Sequence, residues 1–304
     1  MTRFRVLIAF ILLSLIWGSS FLFIRLGLRQ MTPVSLVAVR LAFGAAGVYG
    51  IALIRRDRLH IPRNLIPRAV LIGTINTALP FLLISWGETH ITSGLAAVLN
   101  STVPIFTVLV GLFLLRGEPL PFSRVAGVGI GIVGVIVLAG RDLGATISWY
   151  GLAGQGAVVL ASLCYAIGPT LAHRWMRSIS ATALTAYTLT AAMVECVILS
   201  LLFSPPPFPL TPLSWLATAW LGLLGTSLGY VLYYFIIRSW GAARGTLVTY
   251  VLPVVGLTLG ISVLGEPVSW RILGGSALVI SGVVLAGIVR RPAAVHAPPV
   301  SDVV

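Results

Sequence analysis

Long apolar runs separated by short polar loops cover the chain from one end to the other. A helix needs about 20 mostly apolar residues to cross a bilayer, and ten runs of this kind are present. They are residues 6–28, 34–54, 67–86, 91–115, 122–140, 150–172, 181–203, 212–237, 241–264 and 269–289. Because the runs are continuous, they do not resemble the short alternating strands of a membrane β-barrel. The pattern predicts an all-α integral membrane protein with ten transmembrane helices.

The second half of the chain repeats the glycine and proline pattern of the first half. The segment 94–119 contains Pro104 and ends in Gly-Glu-Pro, and the segment 245–267 contains Pro253 and ends in the same triplet. The two prolines are 149 residues apart (253 − 104). A duplicated apolar unit of this kind is typical of membrane transporters that are built from two related halves.

The number of spans in each copy determines how the copies are oriented. Because five is odd, the second copy enters the membrane from the opposite side, which predicts two inverted five-helix repeats around a central cavity. Substrate sites in such proteins lie near the midplane, and alternating access follows when the two packings exchange. We predict the first repeat at residues 1–145, the second at 146–291 and a disordered cytoplasmic tail at 292–304.

The composition excludes an ordinary soluble domain, and the position of the charges predicts an orientation. Hydrophobic residues make up 58% of the chain and charged residues only 9%. All 20 basic residues are arginine; with the N-terminus inside, 15 fall in inner segments and 4 in outer ones, the positive-inside pattern. We predict a multi-pass protein of the plasma (inner) membrane with both termini in the cytoplasm. Its charge is then explained by the membrane lipid around it, without a nucleic-acid partner.

Four prolines lie inside predicted spans, where each removes a backbone donor and crowds the preceding turn. They are Pro80, Pro104, Pro169 and Pro253. A simple packing kink is one explanation for each of them. Pro104 and Pro253 occupy equivalent places in the two copies, which favours a role as hinges, and Pro80 is counted among the residues of the substrate cavity.

Neutral polar and aromatic side chains within the spans predict the lining of a cavity. Trp17 and Tyr165 align between the copies at an offset of 148 (165 − 17), and Ser101 and Tyr250 at an offset of 149 (250 − 101). The other candidates for substrate binding are Asn76, Thr77, Asn100, Tyr230, Tyr234 and Thr249. Helix packing and interhelical hydrogen bonds would explain the same residues without a substrate.

Arg40 and Glu195 are the ionisable residues that the predicted spans place well inside the membrane. An unpaired charge at this depth is expensive, so the two side chains either pair directly or are bridged by water. Alternatively, Arg40 grips a substrate carboxylate and Glu195 carries a coupling proton. Separate snorkelling of each charge to the outer interface is the third possibility.

Two further glutamates, Glu118 and Glu266, occupy the repeated Gly-Glu-Pro triplets. Each follows a helix-ending glycine and precedes a proline near the start of the next helix. A carboxylate is favourable at a helix N-terminus and proline suits the first helical turn. We therefore interpret both glutamates as helix punctuation rather than as site residues.

Metal and cofactor chemistry has little support in the sequence. Cys164 and Cys196 fall inside apolar spans, and the four histidines are scattered over loops and ends. We predict no disulfide, no metal site, no cofactor and no catalytic residues. Spans five and ten are dense in glycine, which suits either tight internal packing or a dimer face, so a monomer and a homodimer both stay open.

Several motifs resemble those of the EamA family in the drug/metabolite transporter superfamily. The segment LIWGSSF (residues 15–21) is similar to the first-helix signature, and VRLAF (39–43) to the arginine motif of the second helix. TVP (102–104) followed by LRGE (115–118) is similar to the end of the fourth helix, and the pattern recurs at Pro253. The resemblance covers nearly the whole chain and is strongest to amino-acid exporters of the YddG type. It implies ten spans, inverted repeats and export of small metabolites.

Together these features predict a transporter that exports small amphipathic metabolites, foremost amino acids, including aromatic or apolar ones. Strong proton or sodium coupling has little support, because the core holds no carboxylate pair, and facilitated efflux fits at least as well. A multidrug or other metabolite carrier of the same superfamily is the alternative. A membrane-embedded enzyme would need clustered His, Asp, Glu or Cys, which disfavours it, and a passive scaffold would not explain the paired proline breaks.

Overall fold

The computed structural model describes residues 2–114, 122–139, 148–207, 210–240 and 248–287. All regular elements within these ranges are helical. The α-helices are α1 (Thr2–Gly27), α2 (Pro33–Arg55), α3 (Ile66–Gly73), α4 (Leu79–Gly87), α5 (Ser93–Asn100), α6 (Val103–Leu114), α7 (Phe122–Ala139), α8 (Trp149–Trp175), α9 (Ala181–Phe203), α10 (Pro212–Ala219), α11 (Gly229–Trp240), α12 (Val248–Leu264) and α13 (Trp270–Gly287). The all-helical prediction is confirmed for this part of the chain. Glu118, Gly245 and the predicted tail at 292–304 lie outside it.

Within the described residues, seven helical stretches are long and apolar enough to cross a membrane. They are Phe4–Gly27, Pro33–Arg55, Arg63–Gly87, Ser93–Gly111, Trp149–Trp175, Ala181–Phe203 and Pro212–Ile236. Three shorter apolar helices lie within the remaining predicted spans, at Val125–Leu138, Val248–Leu264 and Trp270–Leu285. A multi-pass helical membrane protein is therefore established, while the count of ten spans stays a prediction.

Serine and threonine side chains begin several of these helices. In each case the side-chain oxygen of the residue before the helix accepts the backbone N–H three residues later, which satisfies a donor that the helix itself leaves unpaired. The caps are Thr32, Thr92, Ser148, Ser180 and Thr211. These short polar residues between apolar runs explain where the helices begin.

Two of the predicted spans contain a π-helical segment near their centre. The first π segment, Thr74–Ala78, joins α3 to α4, and the second, Trp220–Leu228, joins α10 to α11. Pro80 follows the first segment in the opening turn of α4, where its missing N–H cannot serve the preceding carbonyls. Such wide turns are rare and frequently occur at functional sites.

The predicted interruption at the paired prolines is present in only one of the two copies. The fourth span is broken at Ser101 and Thr102, between α5 and α6, and Pro104 lies in the first turn of the new helix, which begins at Val103. The hydroxyl groups of Ser101 and Thr102 donate to the carbonyls of Val98 and Leu99, one turn earlier, at 2.6 and 2.7 Å. Pro253 lies inside the continuous helix α12, so it causes no interruption there.

Glycines allow α7 and α13 to pack at close range. A Cβ at Gly134 would lie 2.7 Å from the backbone nitrogen of Val279, and one at Gly282 would overlap the backbone of Gly131. Four of the glycines in spans five and ten therefore serve internal packing, namely Gly131, Gly134, Gly275 and Gly282, whereas Gly129 and Gly274 meet open space.

We expect Gly282→Val to lower the thermal unfolding midpoint of the purified protein by several degrees. The added side chain meets backbone atoms that cannot move aside, and overpacking of this kind costs about 1–3 kcal/mol. Gly274→Val on the same helix is the matched control, because a Cβ at Gly274 meets only open space. Equal midpoints for the two variants would contradict the packing described for this helix pair.

Candidate functional site

A cavity of about 600 Å³ lies between α2, α9 and α11. Its deeper wall is formed by Tyr230, Tyr234 and Thr185, and its mouth lies beside Arg55 and Ser180. The rings of Tyr230 and Tyr234 stack with their centroids 6.3 Å apart. The cavity thus offers flat aromatic faces with hydroxyl groups and no fixed charge in its deeper wall.

Predicted residues of two different spans meet at the deep end of this cavity, together with Thr185 of a third span. The hydroxyl of Tyr230 is a hydrogen-bond neighbour of Thr77 in the first π segment, and that of Tyr234 is a neighbour of Thr185. Thr77 is almost completely buried. The structure therefore brings Thr77, Tyr230 and Tyr234 together, as expected of a common site.

Arg40 lies next to this group of hydroxyls. Its guanidinium carbon is 3.6 Å from the centroid of the Phe81 ring, a cation–π contact, and its Nε donates to Thr226 at 3.4 Å. The phenol groups of Tyr165 and Tyr230 are its main electrostatic neighbours. A guanidinium has five N–H donors, and among the described residues Thr226 is its hydrogen-bond acceptor. Arg40 is thus a buried cation with spare donors among phenols.

Glu195 has a different partner from Arg40. The hydroxyl of Thr74, in the first π segment, donates to its carboxylate at 2.7 Å. Among the described residues, Arg40 and Glu195 form no direct ion pair, because each is held by a threonine on another helix. Of the alternatives drawn from the sequence, a direct pair is therefore absent from the described part of the chain, while a water bridge and separate roles in transport stay predictions.

Trp17 is engaged by the second π segment. Its indole N–H donates to the carbonyl of Gly225 at 2.9 Å, and its ring lies 5.3 Å from that of Tyr233. A Cβ at Gly229 would lie 2.5 Å from the same nitrogen, so glycine is needed for the close approach. Of the two interpretations of Trp17, helix packing with a local hydrogen bond is the one this geometry supports.

The remaining predicted residues lie between helices rather than in the cavity wall. The side-chain oxygen of Asn100 is 3.5 Å from the hydroxyl of Ser162 on α8, and Asn76 packs against Gly168 on the same helix. Tyr165 and Tyr250 pack against the main apolar core, and Thr249 lies in the first turn of α12. The sequence placed all of these at a suitable depth, but depth does not determine which neighbour a helix face meets.

Glu266 joins two helices that are far apart in the sequence. Its carboxylate accepts the backbone N–H groups of Ser93 at 2.7 Å and of Gly94 at 3.0 Å, at the start of α5. A Cβ at Gly260 would overlap this carboxylate, and Gly265 turns the chain with φ of +66°. We call this arrangement of Glu266, Ser93 and Gly94 the clasp. Glu266 does serve a helix N-terminus, as predicted, but that of α5 and not that of the helix following it.

Glu88 is a buried acid that the sequence reasoning missed. It directly follows α4, it is 0% exposed, and neither carboxylate oxygen has a hydrogen-bond partner. Its backbone carbonyl accepts a hydrogen bond from Arg25. The predicted third span ended at residue 86, which left Glu88 in a loop. Glu88 lies at the edge of an apolar run in a chain with seven acidic residues. This position was the sequence signal that could have indicated a buried acid.

The clasp and the cavity mouth lie at opposite ends of the helix bundle. The clasp end also contains the Arg25–Glu88 contact and the hydrogen bond from the Thr211 N–H to Gln30 at 2.9 Å. The cavity end contains the hydrogen bond from Thr182 to Asp57 at 2.9 Å. Helix α2 runs from one end to the other over 23 residues, about 35 Å at 1.5 Å per residue. The cavity opens at one end of the bundle. At the other end the clasp joins two helices, beside a separate pocket of about 580 Å³ lined by Arg25, Thr89 and Glu266.

An apolar helical bundle with an aromatic, hydroxyl-bearing cavity that opens at one end is typical of a membrane transporter, and comparison with known proteins identifies its family. The chain belongs to the EamA-like transporter family, whose sequence pattern matches residues 4–140 and again 152–288. The predicted family and transporter class are confirmed, and the family supports the helical membrane fold.

Individual relatives cover the chain almost completely. The uncharacterized inner membrane transporter YedA of Escherichia coli K12 is 31% identical over 313 residues, 99% of this chain and 98% of the relative. A probable terminal-alkyne amino-acid exporter of Streptantibioticus cattleyicolor is 31% identical over 292 residues, 91% of both chains. A crystal structure with 20% identity superposes with a TM-score of 0.67 over 93% of this chain and 96% of the other, and it shows the fold alone.

Proposed function

We propose that this protein exports small amphipathic metabolites from the cytoplasm, with amino acids as the foremost substrate class. The observation that carries the proposal is Arg40, a buried guanidinium beside the deep end of a neutral aromatic cavity. Tyr230 connects the two, since its ring lines the cavity and its hydroxyl is a neighbour of Arg40. The name of the relative from Streptantibioticus cattleyicolor, an amino-acid exporter, supports the same substrate class.

The chemistry of an amino acid fits this arrangement in a simple way. Its carboxylate can receive two parallel N–H bonds from a guanidinium, which are among the stronger hydrogen bonds in proteins. An apolar or aromatic side chain can stack against Tyr230 and Tyr234. Glu195 accepts a hydrogen bond from Thr74 in the first π segment. In this proposal it is the acid that carries a coupling proton during transport.

Two inverted five-helix repeats, residues 1–145 and 146–291, would supply the two conformations for alternating access. Helix pairs expected to lie on a pseudo-two-fold axis do pack together: α2 with α9, α5 with α12, and α7 with α13. The first span of the first copy, α1, packs against the fourth span of the second copy, α12. The equivalent helices are α8 for α1 and α5 with α6 for α12, and these also pack together. The double match of the family pattern supports the same division.

The arginine distribution assigns the cavity end to the cytoplasm in this proposal. Arg55, Arg56, Arg58 and Arg63 all lie at that end, as the positive-inside rule requires. The described conformation would then be open to the cytoplasm and closed by the clasp on the outside, with both termini in the cytoplasm.

Efflux from proteoliposomes tests the substrate class. Liposomes loaded with radiolabelled phenylalanine should lose it faster and saturably when the protein is present, because both the carboxylate and the ring have partners. Phenethylamine, which keeps the ring but lacks the carboxylate, should leave no faster than it leaves liposomes that contain no protein. Saturable efflux of phenethylamine and of ethidium, without efflux of any amino acid, would favour a multidrug carrier and contradict the proposal.

A further inference from the structure

Glu88 lies in the closed end of the bundle under conditions that do not suit a charged carboxylate. Its side chain is fully buried, and both of its oxygens lack a hydrogen-bond donor. Burying an ionised and unsatisfied carboxylate is very unfavourable, and such groups normally take up a proton instead. The Arg25 guanidinium donates to the backbone carbonyl of Glu88, and the two carboxylate oxygens stay without a donor in the described part of the chain.

The charges around Glu88 come from three different elements. Arg25 on α1 and Arg40 on α2 favour its ionised form, while Glu266 in the clasp opposes it. Helix α8, which also packs here, faces the end of α4 with the backbone of Gly154 and the side chain of Val158. Burial dominates these effects and raises the pKa of Glu88 well above its usual range.

We propose that Glu88 is a proton-binding site of the outer gate, and that the clasp closes when Glu88 takes up a proton. The Glu266 carboxylate accepts two backbone N–H groups, whereas no donor among the described residues faces the Glu88 oxygens, so the proton is placed on Glu88. A proton on Glu88 removes the repulsion between the two acids and the cost of burying a second charge. The inference rests on the proposed function only in naming this end as the outer one.

The direction of the pH effect follows from linkage. When the clasp end opens, water reaches Glu88 and its pKa returns towards an ordinary carboxyl value, about 4.3. The closed form therefore binds the proton more tightly and is favoured in acid. As the pH rises above that ordinary value, the ratio of open to closed protein grows by up to about tenfold per pH unit, until the raised pKa of the closed form is passed. External acid would thus return the carrier to the cytoplasm-facing state.

Thiol labelling at Ser93 tests the proposal without any substrate, so its outcome is independent of which metabolite is exported. Ser93 is 0% exposed in the closed form, and Ser93→Cys should react with a maleimide only when the clasp opens. The protein is labelled in nanodiscs between pH 5 and 9, with and without Glu88→Gln, which mimics the protonated acid. The parent chain gives the background from Cys164 and Cys196, both of which are buried.

The ratio of the two labelling rates cancels the intrinsic pH dependence of the thiol. We expect Ser93→Cys alone to label increasingly faster than Ser93→Cys with Glu88→Gln as the pH rises, by up to about tenfold per pH unit. His90→Gln, a change to an exposed neighbour that contacts Trp86 and Tyr150, should leave this trend intact. A constant ratio, loss of the trend in His90→Gln, or a rate that follows sodium at fixed pH would each overturn the proposal.

A second measurement covers the case in which Glu88→Gln does not fold. The labelling rate of folded Ser93→Cys is then divided, at each pH, by the labelling rate of the same variant unfolded in detergent. A rise in the relative rate with pH supports the proton site, and a pH-independent relative rate overturns it.

Discussion

Arg40→Gln is expected to reduce the kcat/KM for amino-acid efflux by about 30-fold or more. Removing one partner of a buried, hydrogen-bonded charge pair costs about 2–5 kcal/mol, and about 1.4 kcal/mol corresponds to a factor of ten. Glutamine keeps hydrogen-bonding atoms but loses the charge and the fork of donors above Phe81. The measurement is the initial rate of phenylalanine efflux from proteoliposomes over a range of internal concentrations.

Two further variants separate the role of Arg40 in binding from a role in folding. Arg40→Lys keeps the charge but loses the planar, bidentate geometry, so its rate should fall between those of the parent and Arg40→Gln. Arg58→Gln removes an exposed arginine and should transport at the parent rate. Unchanged efflux in a correctly folded Arg40→Gln protein would show that Arg40 does not hold the substrate.

Glu266→Gln is expected to shift the clasp end towards its open form by about 30-fold. A hydrogen bond to a charged group is about 1 kcal/mol stronger than one to a neutral group, and Glu266 accepts two such bonds. The combined loss of about 2 kcal/mol corresponds to this ratio. Spin labels at Thr89 and Val268, both exposed at the clasp end, should report a larger population of long distances.

Two glycines provide a matched pair of tests for the same contact. Gly260→Ala should also lengthen the distance between the spin labels, because its Cβ would displace the Glu266 carboxylate. Gly111→Ala places a methyl group into open space and should have no effect. If Glu266→Gln and Gly260→Ala both gave the parent distance distribution, the clasp would not hold this end closed.

The parts of the fold that depend on local sequence could be predicted closely. Hydropathy located the spans because the exclusion of unpaired backbone from lipid forces long apolar segments into helices. Threonine caps such as Thr32 and Thr211 begin helices in the structure, a local signal that the predicted span boundaries did not use. The interruption at Pro104 is present, yet Pro253 lies in a continuous helix. A proline only weakens a helix, and neighbouring residues such as Ser101 and Thr102 decide whether it breaks.

The candidate site could be predicted only in part. Thr77, Tyr230 and Tyr234 do come together, since polar groups at membrane depth tend to face the bundle interior. Direct pairing of Arg40 with Glu195 was one of several roles considered from their similar depths, and in the structure each contacts a threonine on a different helix. Depth along the membrane is encoded in the position within a span. The rotation of each helix about its axis is set by packing.

The sequence by itself determined a helical membrane transporter of the EamA-like family, because hydropathy and family motifs are properties of short contiguous segments. Only the tertiary structure decided that Glu266 reaches across 172 residues to Gly94 and that Glu88 is fully buried without a hydrogen-bond partner. Both depend on which helix ends meet at one end of the bundle. Contacts between distant segments arise from close packing of whole helices. The apolar pattern that places each helix in the membrane does not specify which other helices it packs against.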